Sequence, residues 1–559
     1  MPCEPHPPEP TLTSPAPDLA SAWSDRGLVA LTVALFALPP LADLLYSGSS
    51  QLFAYLAADS FYYLAVARSF AEQGTLSFDQ VNPTNGFHPA WQLTLAAMFE
   101  LLSAAQISDE SRLATVLALQ GACMAGALGL LANSVGRARS RVPGTVVLLP
   151  LGLYTLLTAW IAPWQGSWWG YLNGMESGFL LLAWAILLRQ FLSPGFLVTQ
   201  RSAIGTGLAM GAMGLARLDH FVALPALALI LAPRLLVSRD RTTWRWTGLA
   251  MGIAATLLAT CMLFARVVGG SWLPVSGGIK STFPIPSALA DTLTDLGPLL
   301  SDAARHPELW RHAQLLIPAA VAAPLLLFLL LRSRRGSLAP WDLALAFSAT
   351  LTLLLTTYDA CFVPRMEQGH WYLPVCTTLV TLAAIRGLDA WGPGRRLQSS
   401  PWSALPIALL LPMFFAAAHW GSDRNVRYAE FSEVEGPLAR EHYGETPPSL
   451  VELDDGIITW ATGFPALSGI GYTLDREAAE HFAAGTLLDL AHQRGFDRLA
   501  LWTYSLNPGE FGPDSPSSAI QERLGQSFFL SPTRVAPFRW TVDYRSPTGR
   551  FSIYRFEPR

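Results

Sequence analysis

Lysine, asparagine and charge of either sign are scarce in this 559-residue chain. All but one of its 37 basic residues are arginine, only 14% of its residues are charged, and its net charge is -4. It therefore lacks the basic patch that nucleic-acid binding needs. Its 51% of hydrophobic residues is too high for a soluble protein of this length. Repeated apolar runs of about 20 residues, each long enough to cross a bilayer, predict a polytopic membrane protein.

Cysteine is also sparse, and no CxxC pair occurs. The absence of cysteine from the polar C-terminal region argues against a disulfide framework or a cysteine metal site. The five cysteines are Cys3, Cys123, Cys261, Cys361 and Cys376. Residues 1–26 are rich in proline and have no basic start, so they predict a disordered cytoplasmic tail rather than a signal peptide.

The distribution of arginine predicts the topology, because cytoplasmic loops carry an excess of basic residues. Leu28–Tyr46 is the first predicted spanning helix, and residues 27–420 form the predicted transmembrane domain, with a first outer loop over 47–90. About ten to thirteen helices are expected. The count is ambiguous between residues 91 and 175, where three apolar runs give the wrong parity; a short fourth segment near residues 164–172 would restore it. The arginine-rich loops predicted to be cytoplasmic are 233–246, 332–336 and 392–396.

The composition changes near residue 421, where charges become frequent. Residues 421–559 predict a soluble extracytoplasmic α/β domain. Within it, residues 451–475 have the β-branched, Gly and Pro content of strands and turns. Residues 475–495 predict one capped helix, and residues 538–556 a hairpin around Ser546–Gly549. The predicted fold class is therefore mainly α: a transmembrane helical bundle followed by an α/β domain.

The stretch from Asp59 to Trp91 is unusually polar for a loop that follows a spanning helix. Apolar residues at helical spacing over Phe61–Glu72 predict an amphipathic helix lying on the membrane surface. The sequence NPTNG then predicts a turn, and FHP leads into the next helix. We expect this loop to carry Asp59 and His88 into a shared pocket.

Ionisable residues at membrane depth are costly and so tend to mark function. The topology brings together, on the outer face, carboxylates, cations and histidines from distant parts of the chain. These residues are Asp59, His88, Glu176, Arg217, Asp219, His220, Lys280, Arg365, Glu367 and His370.

Most of these residues also have a purely structural interpretation. Lys280 could snorkel to the membrane interface, although its uniqueness and its compact charge favour phosphate binding. A carboxylate at a helix start stabilises the helix dipole. The other structural roles are a helix end for Asp59, a bond to a loop carbonyl for His88, a helix cap for Glu176 and an ion pair for Arg217 with Asp219.

Several motifs resemble the GT-C class of membrane glycosyltransferases, and most closely its bacterial, arabinofuranosyltransferase-like and mannosyltransferase-like members. DSFYY at 59–63 and NPTNGFHP at 82–89 are similar to the acidic and Asn-Pro-Thr-Asn-Gly motifs of that class. GMES at 174–177 and ARLDH at 216–220 resemble its Gly-Met-Glu and Arg-Pro-Asp/Glu elements. Many relatives have two adjacent acids where this chain has Ala58 and Asp59. No cofactor is certain from the sequence: a divalent metal stays an alternative, although the missing acid argues against one held by a paired-acid motif.

The resemblance implies transfer of a sugar from a polyprenyl-phosphate carrier to an extracytoplasmic glycan, lipid or protein, at the bacterial plasma membrane. Asp59 would be the general base, with Glu176 and His88 as further catalytic residues, and inversion at the anomeric carbon is expected. The substrate-binding residues implied are Lys280, Arg217, Asp219, His220, Arg365, His370, Asn85 and Tyr62. A lipid-linked glycan ligase or polymerase, a transporter or flippase, and a non-catalytic sensor are the alternatives.

Overall fold

The structure is a computed structural model. It describes residues 45, 52–53, 55–57, 59–137, 172–193, 195–238, 241–280, 309–333, 339–362, 378–379, 382–383, 385–387, 428–453, 456–469, 471, 473–502 and 538–558. The first predicted spanning helix (apart from Leu45), the ambiguous segment over 142–171 and the predicted boundary at residue 421 lie outside these residues. The domain boundaries therefore stay predictions.

Up to residue 387, the described part of the chain consists mainly of helices joined by loops and turns. A 3-10 turn, Leu218–Val222, lies between the fifth and sixth of them. The helices are α1 (Ser60–Gln73), α2 (Pro89–Ala104), α3 (Asp109–Arg137), α4 (Ser177–Phe191), α5 (Gln200–Ala216), α6 (Ala223–Ser238), α7 (Arg241–Gly269), α8 (Val275–Lys280), α9 (Leu309–Ser333) and α10 (Pro340–Phe362).

Three helical stretches within the described residues are long and apolar enough to cross a membrane. They are Asp109–Leu131, Arg241–Gly269 and Pro340–Tyr358. The helices pack as neighbours through α3 with α4, α5 with α7, and α9 with α10. The predicted helical fold class is confirmed in this region.

Helix α1 is confirmed as a helix, and its apolar residues pack against protein; its predicted position on the membrane surface stays a prediction. Residues Ser60 to Ala67 are all buried inside the protein. The helix packs between α2 and a helix of the C-terminal region, so both of its faces contact protein. The apolar spacing that suggested a lipid-facing stripe serves protein packing.

The C-terminal region contains a five-stranded sheet in the order β2-β1-β3-β5-β4. Strand β1 is parallel to β2 and β3, whereas β5 is antiparallel to β3 and β4. The predicted hairpin is confirmed by β4 and β5. The strands are β1 (Leu450–Glu452), β2 (Ala466–Ser468), β3 (Arg498–Trp502), β4 (Phe538–Arg545) and β5 (Phe551–Pro558), and the helices are α11 (Gly436–Tyr443), α12 (Ile457–Thr462), α13 (Arg476–Ala484) and α14 (Leu487–Gln493).

Two local predictions for this region were wrong. Residues Ile457–Thr462 form α12 rather than a strand, because the buried Glu452 carboxylate accepts hydrogen bonds from the backbone N–H groups of Ile458 and Thr459. These tertiary bonds outweigh the β propensity of the segment. The single helix predicted over 475–495 is two, α13 and α14, because Gly485 ends the first with a positive φ of 73°.

The buried core is continuous between the helical part and one side of the sheet. Phe61 of α1 packs edge-on against Tyr428, with ring centroids 5.2 Å apart, and Tyr428 contacts Trp502 of β3. A second core fills the other side of the sheet beneath α13 and α14. The C-terminal region is therefore docked on α1 rather than tethered beside it.

Candidate active site

A cavity of about 530 Å³ lies where α1, the 86–88 turn, the 217–222 turn, the end of α7 and the C-terminal region meet. Five of the predicted site residues line it. They are Asp59, Tyr62, His88, Arg217 and Asp219. The polar stretch that follows the first predicted helix thus forms one wall of a partly open cavity.

A buried ion-pair cluster lies at one side of the cavity. Arg217 Nη1 is 2.6 Å from Glu176 Oε1, and Arg217 Nη2 is 2.9 Å from Asp219 Oδ2. His220 Nδ1 lies 2.6 Å from Asp219 Oδ1. Glu176 is fully buried and does not line the cavity. The structural role predicted for Glu176 was a helix cap, but its side chain makes no capping hydrogen bond. It forms the ion pair with Arg217 instead.

The backbone around Glu176 is held by Gln120 of α3. Gln120 Oε1 accepts hydrogen bonds from the N–H groups of Asn173 and Gly174, at 3.0 and 2.9 Å. Its Nε2 donates to Asn173, Met175 and Ser177. Gly174 has a φ of 77°, and a Cβ there would lie 2.8 Å from the Cβ of Ser60. Only glycine therefore allows the GMES motif to pack against the residue next to Asp59.

His88 immediately precedes α2 as its N-cap residue and links three of the motifs. Its Nδ1 accepts a hydrogen bond from the Leu218 N–H at 3.4 Å, and its Nε2 is 3.8 Å from Glu176 Oε1. An accepting Nδ1 places the proton of the neutral ring on Nε2, toward the carboxylate. The ring is therefore oriented by the ARLDH and GMES motifs together.

Tyr63 adds a hydroxyl to the same cluster. Its oxygen accepts a hydrogen bond from the His88 N–H at 3.4 Å. Burial raises the pKa of the Tyr63 hydroxyl well above its usual value, and the Glu176 carboxylate raises it further. Tyr63 therefore stays protonated at physiological pH and can act only as a hydrogen-bond donor or acceptor.

The other predicted residues have different positions. Asn85 does not line the cavity: its Nδ2 donates to the Ala265 carbonyl and its Oδ1 accepts from the Val275 N–H, both at 3.1 Å, so it joins α7 to α8. His220 is buried behind Asp219. The backbone of Lys280 ends α8, three residues beyond the last α8 residue that lines the cavity. The Lys280 side chain, Arg365 and His370 lie outside the described residues.

Sequence reasoning missed several residues that line the cavity. Gln92 lies one helical turn after His88 on α2, a spacing that could have revealed it. Nothing near Trp272, Tyr358 or Thr473 in the sequence marks them, because their place in the cavity depends on tertiary contacts. Within the described ranges, no three His, Cys, Asp or Glu side chains are grouped to hold a metal ion.

Comparison with known proteins shows a likeness in structure. No protein-family model matches the chain, and no curated protein matches its sequence. The crystal structure of ArnT from Cupriavidus metallidurans in the apo state is similar, with a TM-score of 0.55 and 14% identity. ArnT bound to undecaprenyl phosphate gives a TM-score of 0.53 and 14% identity, and both alignments cover 96% of this chain and 98% of ArnT. The chain therefore has the GT-C membrane-protein fold, as predicted.

Proposed function

We propose that this protein is an integral membrane glycosyltransferase that transfers a sugar from a polyprenyl-phosphate carrier to an extracytoplasmic acceptor. The observation that carries the proposal is the cavity, in which Asp59 and the Arg217 ion-pair cluster meet on a GT-C fold. The ArnT structure with undecaprenyl phosphate supports the choice of carrier. We place the chain in a bacterial plasma membrane, with its N-terminus in the cytoplasm and residues 421–559 outside.

Asp59 is the proposed general base. Asp59 lines the cavity, and it begins the DSFYY motif, whose resemblance to the acidic motif of the GT-C class implies the base; Glu176 is fully buried and does not line the cavity. Asp59 would accept the proton of the acceptor hydroxyl as the hydroxyl oxygen attacks the anomeric carbon. The bond from that carbon to the phosphate oxygen breaks, and the polyprenyl phosphate leaves with the electron pair. A single displacement of this kind inverts the anomeric centre.

The ion-pair cluster suggests different roles for the other predicted residues. Because Arg217 has two carboxylate partners, we assign it to holding the cavity wall, together with Glu176, His88 and His220. Other cations must then stabilise the negative charge of the departing phosphate. We assign that role to Lys280 and Arg365, a role that was predicted from the sequence. Tyr62 and Asp219 would contact the sugar or the acceptor.

The decisive experiment is a transfer assay on the purified full chain with a panel of polyprenyl-phosphate sugars and an envelope extract as acceptor. We expect turnover with one donor and a loss of about 10²–10⁴-fold in the Asp59→Asn variant, because that is the usual contribution of a general base. Asp489→Asn, at an exposed position on α14, is the matched control and should keep full activity.

Each other outcome favours a different function. Full activity in Asp59→Asn would remove Asp59 as the base. Transfer of a preassembled glycan rather than one sugar would identify a ligase or polymerase. No turnover with any donor, together with movement of a lipid-linked substrate across proteoliposomes, would identify a transporter.

A further inference from the structure

The cavity-lining residues Gln92 and Thr473 each carry a buried polar atom that has no hydrogen-bond partner within the part of the chain that the structure describes. These atoms are Oε1 of Gln92 and Oγ1 of Thr473. Gln92 is fully buried and Thr473 is 6% exposed. Buried polar atoms without a partner are rare in native proteins, and each calls for a specific explanation.

The orientation of the Gln92 amide is fixed by chemistry. Its Nε2 donates to the Tyr63 carbonyl at 3.1 Å, and a carbonyl oxygen can only accept. The opposite end of the amide is therefore Oε1, which is itself only an acceptor. Whatever fills this part of the cavity must bring a hydrogen-bond donor.

Thr473 reaches the cavity from the C-terminal region. The segment that carries it is anchored to the first outer loop, because the Thr84 hydroxyl donates to the carbonyl of the next residue, Leu474, at 3.0 Å. The anchor gives the Thr473 backbone a defined place. A hydroxyl can donate or accept, so Thr473 suits the same kind of partner as Gln92.

An orphaned hydroxyl alone does not make a site. Thr206 on α5 is also fully buried and without a partner within the described ranges, yet it does not line the cavity. Gln92 and Thr473 differ because both residues line a partly open cavity of about 530 Å³. That volume lies within the range of small-molecule sites, roughly 300–1,000 Å³.

The charges that line the cavity restrict its occupant further. Of the described residues around it, Asp59 and Asp219 are acids, whereas Arg217 is paired with Asp219 and Glu176. These carboxylates and the Gln92 side chain are hydrogen-bond acceptors set in a lining that is otherwise mostly apolar. Acceptors of this kind pair with hydroxyl groups, and the carboxylates repel a further carboxylate.

We propose that Gln92 and Thr473 form a hydroxyl-recognition subsite that selects a non-acidic, polyhydroxylated sugar ring over an acidic sugar. The inference rests on the proposed function, because a sugar subsite serves a glycosyltransferase. Sugar binding can nevertheless be measured separately from sugar transfer. A site built to pair with a hydroxyl discriminates strongly against an analogue that lacks it.

Saturation-transfer NMR on the full chain in detergent tests the subsite. The probes are methyl hexosides and methyl pentosides, each with its set of monodeoxy analogues and its uronic acid counterpart. We expect the wild type to bind at least one glycoside, to bind one monodeoxy analogue about tenfold more weakly, and to reject the uronic acid.

Substitutions of Thr473 then locate the effect. Thr473→Val keeps the shape of the side chain and removes its hydroxyl. We expect this variant to bind the parent glycoside about tenfold more weakly than the wild type does, and to bind the parent and the discriminated deoxy analogue with equal affinity. Thr473→Ser should restore both the affinity and the discrimination. Thr206→Val is the matched control, since it removes an equally buried hydroxyl away from the cavity, and should leave binding unchanged. Gln92→Met, which forms a second test if a Thr473 variant misfolds, should abolish discrimination at another ring position.

The outcomes separate the subsite from the proposed function. Equal binding by wild type, Thr473→Val and Gln92→Met would overturn the subsite and indicate that water satisfies these atoms. Failure of the wild type to bind any glycoside while it still transfers sugar would also overturn it, with the transferase intact. The expected binding profile without turnover from any donor would uphold the subsite and reject the transferase.

Discussion

At the scale of single residues, Arg217 is the centre of the candidate site's polar structure. It joins Glu176 from the GMES motif to Asp219 from the ARLDH motif, and Glu176 in turn faces His88. Three motifs that are separate in the sequence thus share one buried charge network. Removing one partner from such a network leaves an uncompensated charge, which costs more than the pair itself contributes.

Glu176→Gln is therefore expected to destabilise the protein by about 3 kcal/mol, near the lower end for a broken buried pair because Asp219 remains. The measurement is the thermal unfolding midpoint in detergent, together with the transfer rate, which should fall as His88 and Arg217 lose their common partner. Glu480→Gln is the control: its partner Arg476 is 2.9 Å away and both side chains are well exposed. A surface pair of this kind is worth at most about 1 kcal/mol. Equal shifts in the two variants would contradict the assignment.

Asp543 on β4 offers a pH-dependent test in the C-terminal region. Burial raises the pKa of Asp543, but hydrogen bonds from Arg498 and Tyr443 outweigh it, so that its pKa lies below its ordinary value. The Asp543 carboxylate therefore stabilises the folded state fully above about pH 4, which is the pKa of an aspartate in the unfolded chain. This stabilisation is lost as the pH falls below that value. We expect Asp543→Asn to melt below the wild type at pH 6, with the difference shrinking toward pH 3. A difference that does not change with pH would show that the carboxylate's charge is not involved.

At the scale of elements, a row of glycines on α5 lets two helix backbones approach. A Cβ on Gly207 would lie 2.6 Å from the Ala250 carbonyl oxygen of α7. Gly211 and Gly214 continue the row, facing Leu257 and Phe221. Small residues at this spacing are typical of closely packed helices in membranes. The row also positions α7, whose Ala265 and Cys261 line the cavity.

Gly207→Ala should lower stability by about 1–3 kcal/mol, because the added methyl group has no room against a carbonyl oxygen. Gly252→Ala on α7 is the control, since a Cβ there meets nothing within 4 Å. That control should be neutral or slightly stabilising, as alanine favours helices over glycine. Thermal melting in detergent distinguishes them. A neutral Gly207→Ala would mean that α5 and α7 shift apart without cost.

Elements with a strong local signal were predicted well, and those set by distant contacts were not. The hairpin of β4 and β5 follows from alternation around a Ser546–Gly549 turn. The packing of α1 against protein could not be predicted in this way. Apolar residues that contact α2 and α12 have the same spacing as residues that would contact lipid. In the candidate site, His88 and Asp219 belong to recognisable motifs. Thr473 has no such context, and only folding brings it to the cavity.

At the scale of the whole molecule, the C-terminal region and helix α1 interlock. Arg68 of α1 stacks on the Trp460 ring of α12, 3.8 Å from its centroid, and donates a hydrogen bond to the Trp460 carbonyl. Gly456, with a φ of 87°, lies directly against the Tyr62 backbone. The region that was predicted as a separate soluble domain therefore supports the helix that carries Tyr62 and Tyr63.

Arg68→Met should loosen this contact, because it keeps the aliphatic stem but removes a cation–π interaction of about 2 kcal/mol. We expect faster proteolytic cleavage after residue 428 and a lower transfer rate, measured by timed digestion and by the donor assay. Arg201→Met, at an exposed position on α5, is the matched control and should digest like the wild type. Unchanged digestion of Arg68→Met would indicate that the aromatic contacts of Phe61 and Tyr428 hold the region without it.

The contribution of Thr473 to the cavity has a consequence for the order of synthesis. Asp59 leaves the ribosome early, whereas the segment that carries Thr473 follows more than four hundred residues later. The cavity wall is thus incomplete throughout insertion of the intervening helices. A nascent chain that already contains Asp59 would lack this part of the cavity wall until its C-terminal region has docked on α1. Under the proposed function, completion of synthesis would therefore set the onset of activity.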